Sequence, residues 1–124
     1  MGKGIASTIK RVFPEAYTAD RETRAGASKL GTFSHATVVR PKGRITIVNA
    51  YTQDRFNPKY SKGKSMADYR AITDVMKSIK VAFHGFRIGY PKIGAGLARG
   101  DWNKISEIID RELEGEDHTL VVLP

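Results

Sequence analysis

Two short segments of this chain carry glycines at spacings that suit an anion. Ile93-Gly94-Ala95-Gly96-Leu97-Ala98 follows an apolar run from Phe86 to Tyr90 and leads through Arg99-Gly100-Asp101 into Trp102. Gly2-Lys3-Gly4-Ile5-Ala6 opens the chain and also runs into an amphipathic stretch. A loop without side-chain bulk at the amino end of a helix presents free backbone N–H groups and the positive end of the helix dipole, which is where a phosphate binds. One such loop is equally well explained by turn glycines that need positive φ. Two, each feeding a helix, point to a diphosphate held between them.

The elements that must position these loops follow from the hydrophobic pattern. Ile5, Ile9, Val12 and Phe13 recur at helical spacing, and Pro14 then opens a second short helix over Glu15 to Arg24. Thr32 to Arg40 and Arg44 to Tyr51 read as strands joined at Pro41-Lys42-Gly43. Tyr69, Ile72, Met76, Ile79 and Phe83 trace one face of a long helix. A strand over Phe86 to Tyr90, a helix over Trp102 to Leu113 and a last strand over Leu120 to Leu123 complete the chain. Strands alternating with helices in the second half imply crossover connections and parallel pairing, and the hairpin makes the sheet mixed. Ligands in such sheets sit at the carboxyl ends of the strands. The Gly94 loop leaves one such end, and Asn49 and Tyr51 lie at another.

The residues of both glycine segments, with Asp101-Trp102, resemble the macro domain family. Ser28-Lys29-Leu30-Gly31-Thr32-Phe33-Ser34 and Val48-Asn49-Ala50-Tyr51-Thr52-Gln53 fit the same pattern, so the resemblance runs in order along the whole chain. It is nearest to the compact branch of ADP-ribose-1''-phosphate phosphatases and ADP-ribosyl hydrolases, many of them viral or microbial. The resemblance implies a three-layer α/β/α domain over residues 1–124 with a mixed, mostly parallel central sheet. It implies that Gly2, Lys3, Gly4, Ile5 and Ala6, with Gly94, Ala95, Gly96, Leu97 and Ala98, grip the diphosphate of ADP-ribose, largely through backbone amides. Asn49 and Tyr51, on one strand face, either contact a ribose or close the sheet edge. Asp101 either caps the last helix or serves as the acid or base of a phosphatase reaction.

The sequence departs from the family at three places. Related hydrolases carry an acidic residue where Ala98 stands, and no lysine lies near the end of the Ile45–Tyr51 strand, so their lysine-plus-aspartate mechanism is not expected. Family members also have a strand before the first glycine loop, whereas Met1 stands directly at that loop. A sheet without that strand would need a rearrangement or a partner chain, such as a second copy, to cover it.

Composition narrows the remaining classes. The 124 residues suit one domain, and the 40% apolar fraction is ordinary for a globular chain. No run approaches the roughly 20 apolar residues of a membrane span, Met1 to Pro14 lacks a signal-peptide core, and Ala6 breaks the myristoylation pattern. The absence of cysteine excludes disulfides, zinc–thiolate sites and a thiol nucleophile, and makes the cytoplasm the expected compartment. No metal-ligand cluster is visible, and no cofactor is expected. His35 reads as a strand residue, while His84 and His118 show no partner spacing. The net charge of +8 favours anionic ligands. Arg55, Lys59, Lys62 and Lys64, interleaved with Phe56 and Tyr60, form either a solvated loop or a weak nucleic-acid surface. The expectations are therefore an ADP-ribose-1''-phosphate phosphatase, a non-catalytic ADP-ribose-binding module or, third, a basic nucleic-acid-binding protein.

Overall fold

A computed structural model describes residues 4–23, 29–53, 68–94 and 100–122. Contacts gather the chain into two compact units, Met1–Lys29 with Phe33–Ala50, and Leu30–Thr32 with Tyr51–Pro124.

The first unit holds two helices and a hairpin. Helix α1 spans Gly4–Val12 and α2 spans Pro14–Arg21, with Pro14 at the start of α2 where its missing N–H costs nothing. Helix α2 stops three residues short of the Arg24 expected from the sequence. Glu22 N–H donates to Thr18 O, and both Thr23 N–H and Thr23 Oγ1 donate to Asp20 O, so side-chain and turn hydrogen bonds take over the last carbonyls. Strands β1 (Phe33–Arg40) and β2 (Gly43–Ala50) pair antiparallel from Phe33↔Ala50 to Arg40↔Gly43 around Pro41-Lys42, as the sequence predicts to within a residue. Ala16 of α2 and Val38 of β1 are buried. Arg40 clamps α2 to the hairpin: its guanidinium donates to both carboxyl oxygens of Glu15, at 3.0 and 3.3 Å, and to Val12 O at 3.3 Å. That pairing holds the Glu15 carboxyl below its usual pKa.

The second unit is built from two helix–turn–strand repeats. Helix α3 (Tyr69–Ala82) leads to β3 (Arg87–Tyr90), and α4 (Trp102–Glu112) leads to β4 (Asp117–Leu120). Both turns are closed in the same way. Phe83 N–H donates to Ile79 O and Phe86 N–H to Phe83 O; Leu113 N–H donates to Ile109 O and Glu116 N–H to Leu113 O. Gly85 and Gly115 hold the same φ of 85° in the two turns. Strands β3 and β4 pair in parallel, with α4 as the crossover between them. The core of this unit is the seam between the helices: Ala71, Ile72, Val75, Met76 and Ile79 against Ile105, Ile108, Ile109 and Leu113, all buried. Each valine, isoleucine, leucine or methionine there contributes about 1.5–3 kcal/mol on leaving water.

The last strand differs from the expectation. It covers Asp117–Leu120 rather than Leu120–Leu123, because its ladder is fixed by the four residues of β3, Arg87↔Asp117 to Tyr90↔Leu120. Val121 N–H still donates to Tyr90 O, but Val121 and Val122 are exposed, so the most apolar run of the C-terminus lies past the strand; Leu123 falls outside the described residues. The described residues form one antiparallel and one parallel two-stranded pair, an α/β pattern without a mostly parallel central sheet among the described residues.

Candidate functional site

The chain between β3 and α4 is described at its two ends, Pro91 to Gly94 and Gly100 to Asp101. Gly94 adopts φ 70°, a left-handed conformation that favours glycine, and Ile93 N–H donates to Pro91 O at 2.8 Å as the chain leaves β3. Gly100 N–H donates back to Gly94 O at 2.6 Å, which brings these two residues together. The loop opens at the carboxyl end of β3 and delivers the chain to the amino end of α4. Ala95, Gly96, Leu97, Ala98 and Arg99 lie outside the described residues.

Asp101 is the N-cap of α4. Its Oδ1 accepts the N–H of Asn103 at 3.0 Å, and its backbone is extended at φ −78°, ψ 109°. Helix α3 begins in the same way, with Asp68 Oδ1 accepting from Ala71 N–H at 3.0 Å. The first turn of neither helix holds an acidic residue; Arg70 and Lys104 stand there instead. The two caps are therefore the negative charges nearest these positive helix ends.

A series of hydrogen bonds ties this loop to Tyr51. Tyr51 N–H donates to Thr32 O at 3.0 Å, and Gly31 N–H donates to Tyr51 O at 2.9 Å. Asp68 N–H donates to Thr52 O at 2.9 Å, which fixes the start of α3 to the residue after Tyr51. The Tyr69 hydroxyl then accepts the N–H of Asp101 at 3.1 Å, with the Lys104 ammonium 4.6 Å above the Tyr69 ring. Tyr51, the two helix starts and Gly94 are thus joined within the second unit. Tyr69 holds the backbone of Asp101, a contact that its place on an apolar helix face does not reveal. Its partner is 32 residues away, and no local pattern announces such a contact.

In the first unit, Gly4, Ile5 and Ala6 form the opening turn of α1, and Gly2 and Lys3 lie outside the described residues. Asn49 is half-buried on β2. Its Nδ2 donates to Ala16 O at 3.0 Å and to Ser34 Oγ at 3.1 Å, so both amide hydrogens bind α2 and β1. The Asn49 amide thus ties β2 to α2 and β1. Ser28 and the basic loop from Arg55 to Lys64 fall outside the described residues.

Two histidines acquire partners that their spacing did not reveal. His84 Nδ1 lies 2.8 Å from Glu116 Oε2, and Gly85 N–H donates to Glu116 Oε1 at 3.1 Å. The Gly85 N–H and then His84 hold the Glu116 carboxyl below its usual pKa. His118 Nδ1 lies 2.8 Å from the Tyr90 hydroxyl, with the rings stacked at 5.8 Å, and its Nε2 is 4.0 Å from Asp110 Oδ1. Burial, and secondarily the Asp110 charge, push the Tyr90 hydroxyl pKa up. No group of three or more His, Cys, Asp or Glu among the described residues is arranged to hold a metal, and no described helix is long and apolar enough to cross a membrane.

The α/β fold is similar to that of a macrodomain. The chain is similar to the macrodomain of Mycobacterium tuberculosis DarG, with a TM-score of 0.70 and 20% identity over 97% of this chain and 79% of that one. By sequence it is similar to a protein of Enterobacteria phage T4, an uncharacterized 17.5 kDa protein from the tk-vs intergenic region. The two are 29% identical over 121 residues, which span 89% of this chain and 70% of the phage protein. No family model matches the chain.

Proposed function

We propose that this chain is a single macro-like domain that binds ADP-ribose or a close derivative in the cytoplasm. The observation that carries the reading is the glycine loop closed by Gly100 N–H and Gly94 O at the amino end of α4, in a chain with the macrodomain fold. Backbone amides there, aided by the helix dipole, suit a diphosphate. The proposal retains Gly2, Lys3, Gly4, Ile5 and Ala6 as diphosphate-binding residues, and Asn49 and Tyr51 as ribose-binding ones. It also retains the three-layer arrangement around a mostly parallel sheet.

The reaction proposed at this site is hydrolysis of the terminal phosphate of ADP-ribose-1''-phosphate. Water attacks phosphorus, the bond from phosphorus to the ribose oxygen breaks, and ADP-ribose and inorganic phosphate leave. Asp101 is the group available to accept the proton of the attacking water and to return it to the departing ribose oxygen. Backbone donors of the loop offset the charge that builds on the phosphoryl oxygens.

A second reading has its own support. The Asp101 carboxylate is engaged as a helix cap, and Ala98 stands where related hydrolases have an acid, which favours a binding module without catalysis. Release of inorganic phosphate from ADP-ribose-1''-phosphate separates the two. Turnover that is lost on replacing Gly96 with Leu supports the enzyme, whereas saturable ADP-ribose binding without release supports the module.

A further inference from the structure

The excess positive charge of this protein is concentrated in its first unit. That unit carries nine Lys and Arg against three Asp and Glu, while the second carries twelve against ten. Within the first unit, the tip of the β1–β2 hairpin forms a shallow cleft of about 240 Å³ lined by Phe13, Arg40, Lys42, Gly43, Arg44 and Ile45. The basic residues there differ in their engagement. Arg40 is clamped to Glu15 and Val12, and its guanidinium lies 5.6 Å from the Phe13 ring centroid. Lys42 and Arg44 are exposed and form no salt bridge among the described residues. Two uncompensated cations thus flank an apolar floor of Phe13 and Ile45, with Val39 also exposed on the same hairpin.

We infer that this hairpin tip binds single-stranded nucleic acid. The size of the cleft argues for a strand rather than a small free ligand. Pockets that enclose a whole drug-sized molecule measure roughly 300–1,000 Å³. This one is smaller and open, suited to one base of a longer chain lying on Phe13 and Ile45. Lys42 and Arg44 would neutralise the adjoining phosphates. A cationic rim beside an aromatic platform is the usual chemistry of single-strand binding and carries little preference among bases. A duplex keeps its bases stacked and paired, and offers only phosphates to the same cleft.

The test is fluorescence anisotropy of the full chain with a labelled single-stranded oligonucleotide of mixed sequence, as DNA and as RNA, over a salt series. Binding should weaken with salt, by about 0.7 in the log–log slope for each phosphate contact. The double variant Lys42→Glu/Arg44→Glu should bind about tenfold or more weakly at low salt and show a slope shallower by roughly 1.4, the loss of two contacts. Phe13→Leu, which keeps apolar bulk but removes the ring, should weaken single strands and leave duplex binding unchanged. The charge-matched control Arg70→Glu/Lys77→Glu, two exposed reversals on α3, should bind more tightly than the hairpin double variant. Equal loss in the two would mean that net charge alone governs binding and would overturn the assignment. So would wild-type affinity in the double variant, no binding at low salt, tighter binding of duplex than of single strands, or displacement by polyglutamate at the concentration where the oligonucleotide itself competes.

Discussion

Replacing Asp101 in two ways separates its cap from any chemistry. Its Oδ1 accepts the Asn103 N–H at 3.0 Å, and no other acidic side chain stands in the first turn of α4. Asp101→Ala removes the acceptor and the charge together, and loss of an N-cap of this kind costs about 1 kcal/mol, within a range of about 0.5–2. Asparagine caps as well as aspartate, so Asp101→Asn loses only the charge–dipole part, about 0.3–1 kcal/mol and nearer the lower figure on an exposed site. For a chain of this size, 1 kcal/mol is roughly 3–6 °C in Tm. Thermal denaturation followed by circular dichroism should therefore place Asp101→Ala some 3–6 °C below the wild type and Asp101→Asn within about 2 °C of it. Equal losses in the two variants would refute the capping argument. Phosphate release from ADP-ribose-1''-phosphate then reads the chemistry. An essential base makes Asp101→Asn slower by about 10²–10⁴ with its fold intact, whereas a pure cap leaves the rate unchanged.

Other perturbations follow from the same geometry. Gly31 sits at φ 79° with Asp74 Cβ only 3.1 Å from where its own Cβ would stand, while Gly115 sits at φ 85° with nothing within 4 Å. Gly115→Ala should thus cost the left-handed penalty alone, about 1–2 kcal/mol, and Gly31→Ala measurably more in chemical denaturation. Tyr69→Phe removes the acceptor for the Asp101 N–H while keeping a ring under Lys104; ADP-ribose affinity should fall roughly threefold to tenfold with little change in Tm. Glu116 has a carboxyl pKa held below its ordinary 4.5, so its contribution to stability is fully present above that value and is lost as pH falls through the lower folded-state pKa. Glu116→Gln should flatten the acid limb of the stability–pH curve below pH 4.5 and leave the curve unchanged in shape near neutrality.

Much of the scaffold was legible because local pattern carries it. The apolar spacing along α3 and α4 predicts their buried faces, and the turn residues predict the hairpin. Asp101, one of whose two expected roles was a helix cap, does cap α4. What escaped the sequence depends on partners distant in the chain. Tyr69 meets Asp101, His84 meets Glu116 and Tyr90 meets His118 across about 30 residues each, and no periodicity encodes such pairs. The final strand was misplaced for a related reason. Hydropathy favours Leu120 to Leu123, but the strand is set by the register of β3, which pairs with the more polar Asp117–Leu120. The basic hairpin tip was likewise invisible, because Phe13, Lys42 and Arg44 converge only once α2 packs on the hairpin.

The measurement that bears most directly on the central claim is calorimetric titration of ADP-ribose into this 124-residue chain, with AMP and ribose 5-phosphate as partial ligands. The account predicts saturable binding near one equivalent, tighter for ADP-ribose than for either fragment, and abolished by Gly96→Leu. A folded sample that gives no heat with ADP-ribose, or binding that survives Gly96→Leu unchanged, would contradict it.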